Sequence, residues 1–129
     1  MAKVTGIGGV FFKANDPEAL KAWYVDCLGV DITEWGCATF DWAADQATQA
    51  AGVTVWQVAK SDTEWFAPST ASMMINYRVD DLDGILAQLA ARGVTPVKGP
   101  DDEFNGRFAW VMDPEGNKVE LWEPSEVAE

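Results

Sequence analysis

The sequence predicts an α+β fold, two βαβββ modules set side by side to form a curved, eight-stranded, cup-shaped sheet with its helices on the outer face. Three observations predict it. A strand candidate, an aspartate, an apolar helix and a glycine stop occur twice, around Asp16 and Gly29 and again around Asp81 and Gly93. The two copies keep nearly the same spacing: Asp16 to Asp81 is 65 positions, and Gly29-Val30 to Gly93-Val94 is 64. Three further strand candidates follow each helix, and self-similarity at a fixed period marks a repeated structural unit. One such module buries a single sheet face. Two of them give a sheet of about eight strands whose concave face is free to hold a ligand.

In the first module, "VTGIGGVFFKA" over residues 4–14 reads as a strand, with Gly6, Gly8 and Gly9 marking a bulge or a close approach. It stops at "NDPEAL". There Asp16 can cap a helix, Pro17 suits its first position and Glu18 favours the positive end of its dipole. Leu20, Trp23, Tyr24, Cys27 and Leu28 form one apolar stripe, and Gly29 ends the helix. The strand candidates "VDITEW", "CATFDW" and "GVTVWQVA" come next, with "AADQATQAAG" as a loop between the last two. A turn-rich segment, "KSDTEWFAPSTA", leads to the second module.

There "SMMINYRV" is a strand, and "DDLDGILAQLAARG" a helix with Leu82, Ile85, Leu86 and Leu89 on one face. The strand candidates "VTPVKG", "RFAWVM" and "KVELWE" follow, the last two joined by the turn "DPEGN". The expected layout is one domain over residues 1–129, with modules at about 4–60 and 72–124 and a linker at about 61–71.

Composition narrows the function. The 129 residues suffice for one core, and 48 % hydrophobic content is ordinary for a globular chain. No apolar run approaches the roughly 20 residues that span a bilayer, and no basic-then-apolar leader precedes the first strand. A cytoplasmic protein without membrane contact is expected. A net charge of −12 repels phosphate backbones, so no nucleic-acid partner is expected. Cys27 and Cys37 are expected as two small buried hydrophobes. Histidine is absent, which removes Ser–His and Cys–His nucleophilic pairs, histidine general bases and every histidine metal ligand.

The double βαβββ plan, with "DPEALKAWYVDCLGV" early and "MDPEGNKVELWEP" late, resembles the vicinal-oxygen-chelate superfamily, the glyoxalase/bleomycin-resistance/dioxygenase group, over about residues 4–124. Many chemistries share that scaffold. By resemblance, metal-dependent members place ligands on the first and last strands of each module. Those positions fall here on Gly9 and Met74, near Trp56 or Gln57, and on Glu120. Only Glu120 is a good ligand, so no metal and no cofactor are expected. The resemblance also implies a homodimer, in some members with cups shared between chains. Aromatic residues such as Trp35, Trp42, Trp65 and Phe66 are available for an interface.

Strand alternation assigns the cup. If Gly9 faces it, so do Ile7, Phe11 and Lys13. Met74, Asn76 and Arg78 share that side, as do Glu120 and Trp122, with Trp56 or Gln57 joining according to register. The expected ligand-binding set is Phe11, Trp56, Met74, Asn76, Arg78, Glu120 and Trp122. A carboxylate on an apolar strand must be solvated, paired or protonated, and Arg78, Lys13 or Arg107 could pair Glu120. Three functions remain open: metal-independent binding of a small molecule in an aromatic-lined cup; a glyoxalase-type lyase or isomerase with Glu120 as catalytic general base; and an interaction protein with a vestigial cup.

Overall fold

The computed structural model describes residues 9–47 and 53–125. The opening of the first expected strand, Ile7 included, lies outside the described residues.

Helix α1 is Pro17–Leu28; the Asp16 carboxylate accepts from the Ala19 N–H at its start, and Gly29 closes it in the left-handed conformation. Helix α2, Trp42–Gln46, is one short turn capped by Asp41. The second half holds strand β1, Ile75–Arg78, helix α3, Leu82–Ala91, and strands β2, Lys98–Glu103, β3, Gly106–Met112, and β4, Lys118–Pro124. Two carboxylates satisfy the first turn of α3: Asp81 accepts from Gly84 N–H, and Glu123, reaching from β4, accepts from Leu82 N–H at 2.7 Å. Each completes an orphan donor at the positive end of the helix.

The four strands form one sheet in the order β1-β4-β3-β2, with β1 parallel to β4 and the other pairs antiparallel. Strand, helix and three strands therefore assemble as one βαβββ unit. Period-two alternation sends Val79, Ala109, Val111, Val119 and Leu121 to one face, where they bury against Leu20, Tyr24 and Cys27 of α1 and Leu82, Ile85 and Leu89 of α3. The opposite face carries the site.

The turn after β3 joins the two halves of the chain. One Asp113 oxygen accepts from the Glu115 and Asn117 backbone N–H groups, and the other accepts from Asn117 Nδ2 and, at 2.8 Å, from the Tyr24 hydroxyl. The Glu115 carboxylate in turn accepts from Asn15 and Asp16 at the mouth of α1. The "DPEGN" motif is thus a clasp between the last hairpin and the first helix.

The structure departs from the expectations at four points. Among the described residues strand pairing is confined to the four strands of the second module, so they hold half of the expected eight-stranded sheet. In the first half, Gly36 turns the chain tightly between Thr33 and Cys37, and Asp41 starts a helix where "CATFDW" was expected to remain extended. Val10, Phe12, Phe40, Val53, Val55 and Val58 are exposed. Cys37 is exposed and lies in no strand, whereas Cys27 is buried. The expected strand "VTPVKG" begins only at Lys98, because Gly99 and Pro100 shift the ladder by a bulge before Asp101. Proline and a row of charges suit this strand, the outermost of the sheet among the described residues.

Candidate functional site

On the face away from the helices, the hairpin register sets Trp110 opposite Glu120 and Phe108 opposite Trp122. From β1, Asn76 stands beside Glu120 and Arg78 beside Trp122; from β2, Lys98 stands beside Trp110. Paired residues on neighbouring strands share a face, so these side chains meet.

The three rings lie nearly parallel. Phe108 is 5.9 Å from Trp122 with 6° between planes, and 6.0 Å from Trp110 with 15°. Both indole N–H groups are engaged within the chain: Trp110 Nε1 donates to Glu120 Oε2 at 2.9 Å, and Trp122 Nε1 donates to the Asn105 carbonyl at 3.0 Å. Those bonds lock each ring; Trp110 and Trp122 are buried, at 7 % and 8 % exposed, and Phe108 between them is half-buried.

Glu120 is 8 % exposed. Its Oε1 accepts from Asn76 Nδ2 at 2.7 Å and its Oε2 from Trp110. Both donors are neutral. Arg107, one of the partners expected for it, forms no ion pair with it. Arg107 instead bridges Asp83 and Asp102 on the helix side. The neighbouring Lys118 is buried and donates to the Trp65 carbonyl at 2.8 Å. Burial pushes its ammonium below the usual lysine range and Lys98 pushes the same way, while Glu120 opposes both.

Of the expected site residues, the structure brings together Asn76, Arg78, Glu120 and Trp122. Met74 lies just before β1 and is partly buried. Phe11 and Trp56 are not brought to the sheet: they are 93 % and 77 % exposed, and among the described residues the segments that carry them form no strand. Gln57 and Lys13 are exposed on the same unpaired segments. Phe108, Trp110, Lys98 and Lys118 were missed. The signal for the first two was present, since alternation applied to "RFAWVM" across the "DPEGN" turn sets them beside Glu120 and Trp122.

The donor set does not fit the metal of the metal-dependent relatives. Both Glu120 oxygens already accept hydrogen bonds, its neighbours are rings, an amide and an ammonium, and among the described residues no three metal-ligating acids or thiols converge. A separate open hollow of about 570 Å³ on the helix side is lined by Asp83, Asp102, Arg107 and Glu123, whose charges already engage one another or the start of α3.

The family model for the Glyoxalase/Bleomycin resistance protein/Dioxygenase superfamily matches residues 6–121. The chain belongs to that superfamily. Among solved structures, this superfamily member is similar to TnmS3, an antibiotic binding protein from Streptomyces sp. CB03234, with 26 % identity, 97 % of this chain and 100 % of that one covered, and a TM-score of 0.60. A glyoxalase/bleomycin resistance protein from the same organism shares 26 % identity, covering 85 % and 93 % of the two chains at a TM-score of 0.52. An integron cassette protein from the mobile metagenome of V. Cholerae, at 15 % identity, 97 % and 99 % coverage and a TM-score of 0.63, shares the fold. A search among curated proteins gives no significant match. No helix among the described residues is long and apolar enough to cross a membrane.

Proposed function

We propose that this superfamily member is a metal-independent binding module that holds a small planar molecule against the Trp110–Phe108–Trp122 row, with Glu120 as the charged acceptor for a donor on that molecule. The observation that carries this reading is the row itself: three rings held parallel around a buried carboxylate whose donors, among the described residues, are the neutral groups of Asn76 and Trp110. Structural rings in a core need no such alignment, whereas flat ligands need large rigid faces and a few fixed polar groups. The likeness to an antibiotic binding protein over nearly the whole chain supports the same class of activity. Each Glu120 oxygen accepts one bond, from Asn76 or Trp110, and keeps a second lone pair for a donor on the ligand; it is the likeness to an antibiotic binding protein that favours binding over lyase or isomerase chemistry. The cup is completed by a second copy, whose first module covers the apolar segments left exposed in one chain, and the dimer acts in the cytoplasm.

Glu120→Gln tests this reading. The Asn76 amide can turn to accept from the new NH₂ group while Trp110 still donates to the amide oxygen, so the fold survives and only the charge is lost. A charged hydrogen bond contributes about 1.5–3 kcal/mol, so ligands found by a thermal-shift screen should bind roughly tenfold to a hundredfold more weakly. Unchanged affinity would remove Glu120 from the site. Intact binding with abolished turnover would favour the enzyme instead.

A further inference from the structure

Lys98 occupies the outer face of the last ring in the row. Its ammonium nitrogen lies 4.3 Å from the Trp110 centroid and 2.7 Å from an Asp101 oxygen. Lys98 pairs with Trp110 and Asp101 with Phe108. The bulge at Gly99 and Pro100 thus sets both charges on the aromatic face, although they are three residues apart. A cation over an indole and against a carboxylate is the arrangement by which proteins recognise organic cations. Here the chain supplies the cation itself, on a side chain that is still 59 % exposed.

We infer that Lys98 is an internal stand-in for the ligand's own positive charge, and that the molecule bound on the aromatic row is a monocationic aromatic compound which displaces it. This rests on the aromatic row being the binding site. Charge balance carries the step from stand-in to ligand class. Around Trp110, two ammonium groups, Lys98 and Lys118, face two carboxylates, Asp101 and Glu120. Lys118 is buried and tied to the Trp65 carbonyl, 5.9 Å from the Trp110 centroid, whereas Lys98 lies on the outermost strand. When Lys98 swings out, the local charge becomes −1, and a bound monocation restores neutrality while inheriting both the ring face and Asp101. An anion would have to displace Asp101 from an ammonium it already satisfies. Arg78 stands at the other end of the row, beside Trp122. The net charge of −12 draws cations toward the whole molecule.

Calorimetric titration with three probes of one shape tests the inference: quinoline, N-methylquinolinium and quinoline-6-carboxylate. N-methylquinolinium should bind tightest and the carboxylate weakest. Lys98→Met should tighten N-methylquinolinium by about threefold or more, the scale of one exposed cation–π contact plus a lost competitor. Lys98→Gln should act in the same direction. Asp101→Asn should weaken N-methylquinolinium and leave quinoline nearly unchanged. Tightest binding of the carboxylate, lost in Lys98→Met, would overturn the inference and make Lys98 a recruiter of anions. Equal binding of all three, abolished by Trp110→Leu, would overturn the cation preference and leave the aromatic row standing. No binding of any probe to the natural protein or to either Lys98 variant would overturn both.

Discussion

Tyr24 and Asp113 show how a single buried bond ties the halves of this chain together. The Tyr24 ring packs 4.9 Å from Trp23 and 5.7 Å from Tyr77, and its hydroxyl donates to Asp113. Burial pushes the Tyr24 phenol far above its ordinary value of 10.0, and Tyr77 and Asp113 add to the shift; burial also raises Tyr77. A folded pKa above the unfolded one means stability is complete below pH 10 and falls as the pH rises beyond it, because only the unfolded chain then releases the proton readily. Melting temperature should therefore drop above about pH 10, and Tyr24→Phe should remove part of that drop, Tyr77 supplying the rest. At neutral pH the same substitution should cost about 1–2 kcal/mol in urea unfolding through the lost bond to Asp113. An alkaline limb unaltered by the substitution would place the titration elsewhere. These residues were only half legible in the sequence. Tyr24 belonged visibly to the apolar stripe of a helix, but its partner lies 89 positions away, and no local pattern announces such a pair.

Among the elements, α1, α3 and the β3–β4 hairpin were legible because each carries its own local signals. Asp16 with Pro17, Asp81, Gly29 and Gly93 punctuate the helices, and "DPEGN" sets the hairpin register. Strand β2 was misplaced because its signal is weak: "KGPDDE" has no apolar alternation, and its pairing comes from β3 rather than from its own composition. Gly99 is the residue on which its bulge depends. It has φ +84°, and a Cβ there would approach the Phe108 carbonyl oxygen to 2.7 Å. Gly99→Ala should cost about 1–3 kcal/mol, from the disfavoured backbone and the close contact together. It should also shift the indole resonance of Trp110, because Lys98 moves with the bulge. A stable variant with an unshifted Trp110 signal would show that the bulge does not position Lys98.

For the whole molecule, the superfamily was legible in the repeat and in two motifs at opposite ends of the chain, whereas the full cup was not. Alternation in the first half was real, but it did not reveal that a single chain leaves those residues uncovered. Phe40, Val53, Val55 and Val58 remain exposed, and among the described residues β1 pairs with β4 alone. Large apolar residues left exposed together mark an interaction site, and a second copy that covers them should give twice the monomer mass in sedimentation at micromolar concentration. A monomer there would contradict the completed cup. The donor set around Glu120 likewise predicts that Ni²⁺, Zn²⁺ or Mn²⁺ leaves the melting temperature nearly unchanged, since a specific ligand must raise it; a rise of several degrees that disappears in Glu120→Gln would contradict that account.

The central claim, that the row of Phe108, Trp110 and Trp122 is the binding surface, is tested most directly by the indole N–H resonances. The chain has seven tryptophans, each with one such signal. Two of them are assigned by their loss in Trp110→Phe and Trp122→Phe. On titration with the strongest ligand of the thermal-shift screen, those two signals should move together and saturate at one affinity. The signals of Trp35, Trp42 and Trp56 should move later or not at all. Saturable shifts in Trp35, Trp42 or Trp56, with Trp110 and Trp122 still, would contradict the account and move the site to the first half of the chain.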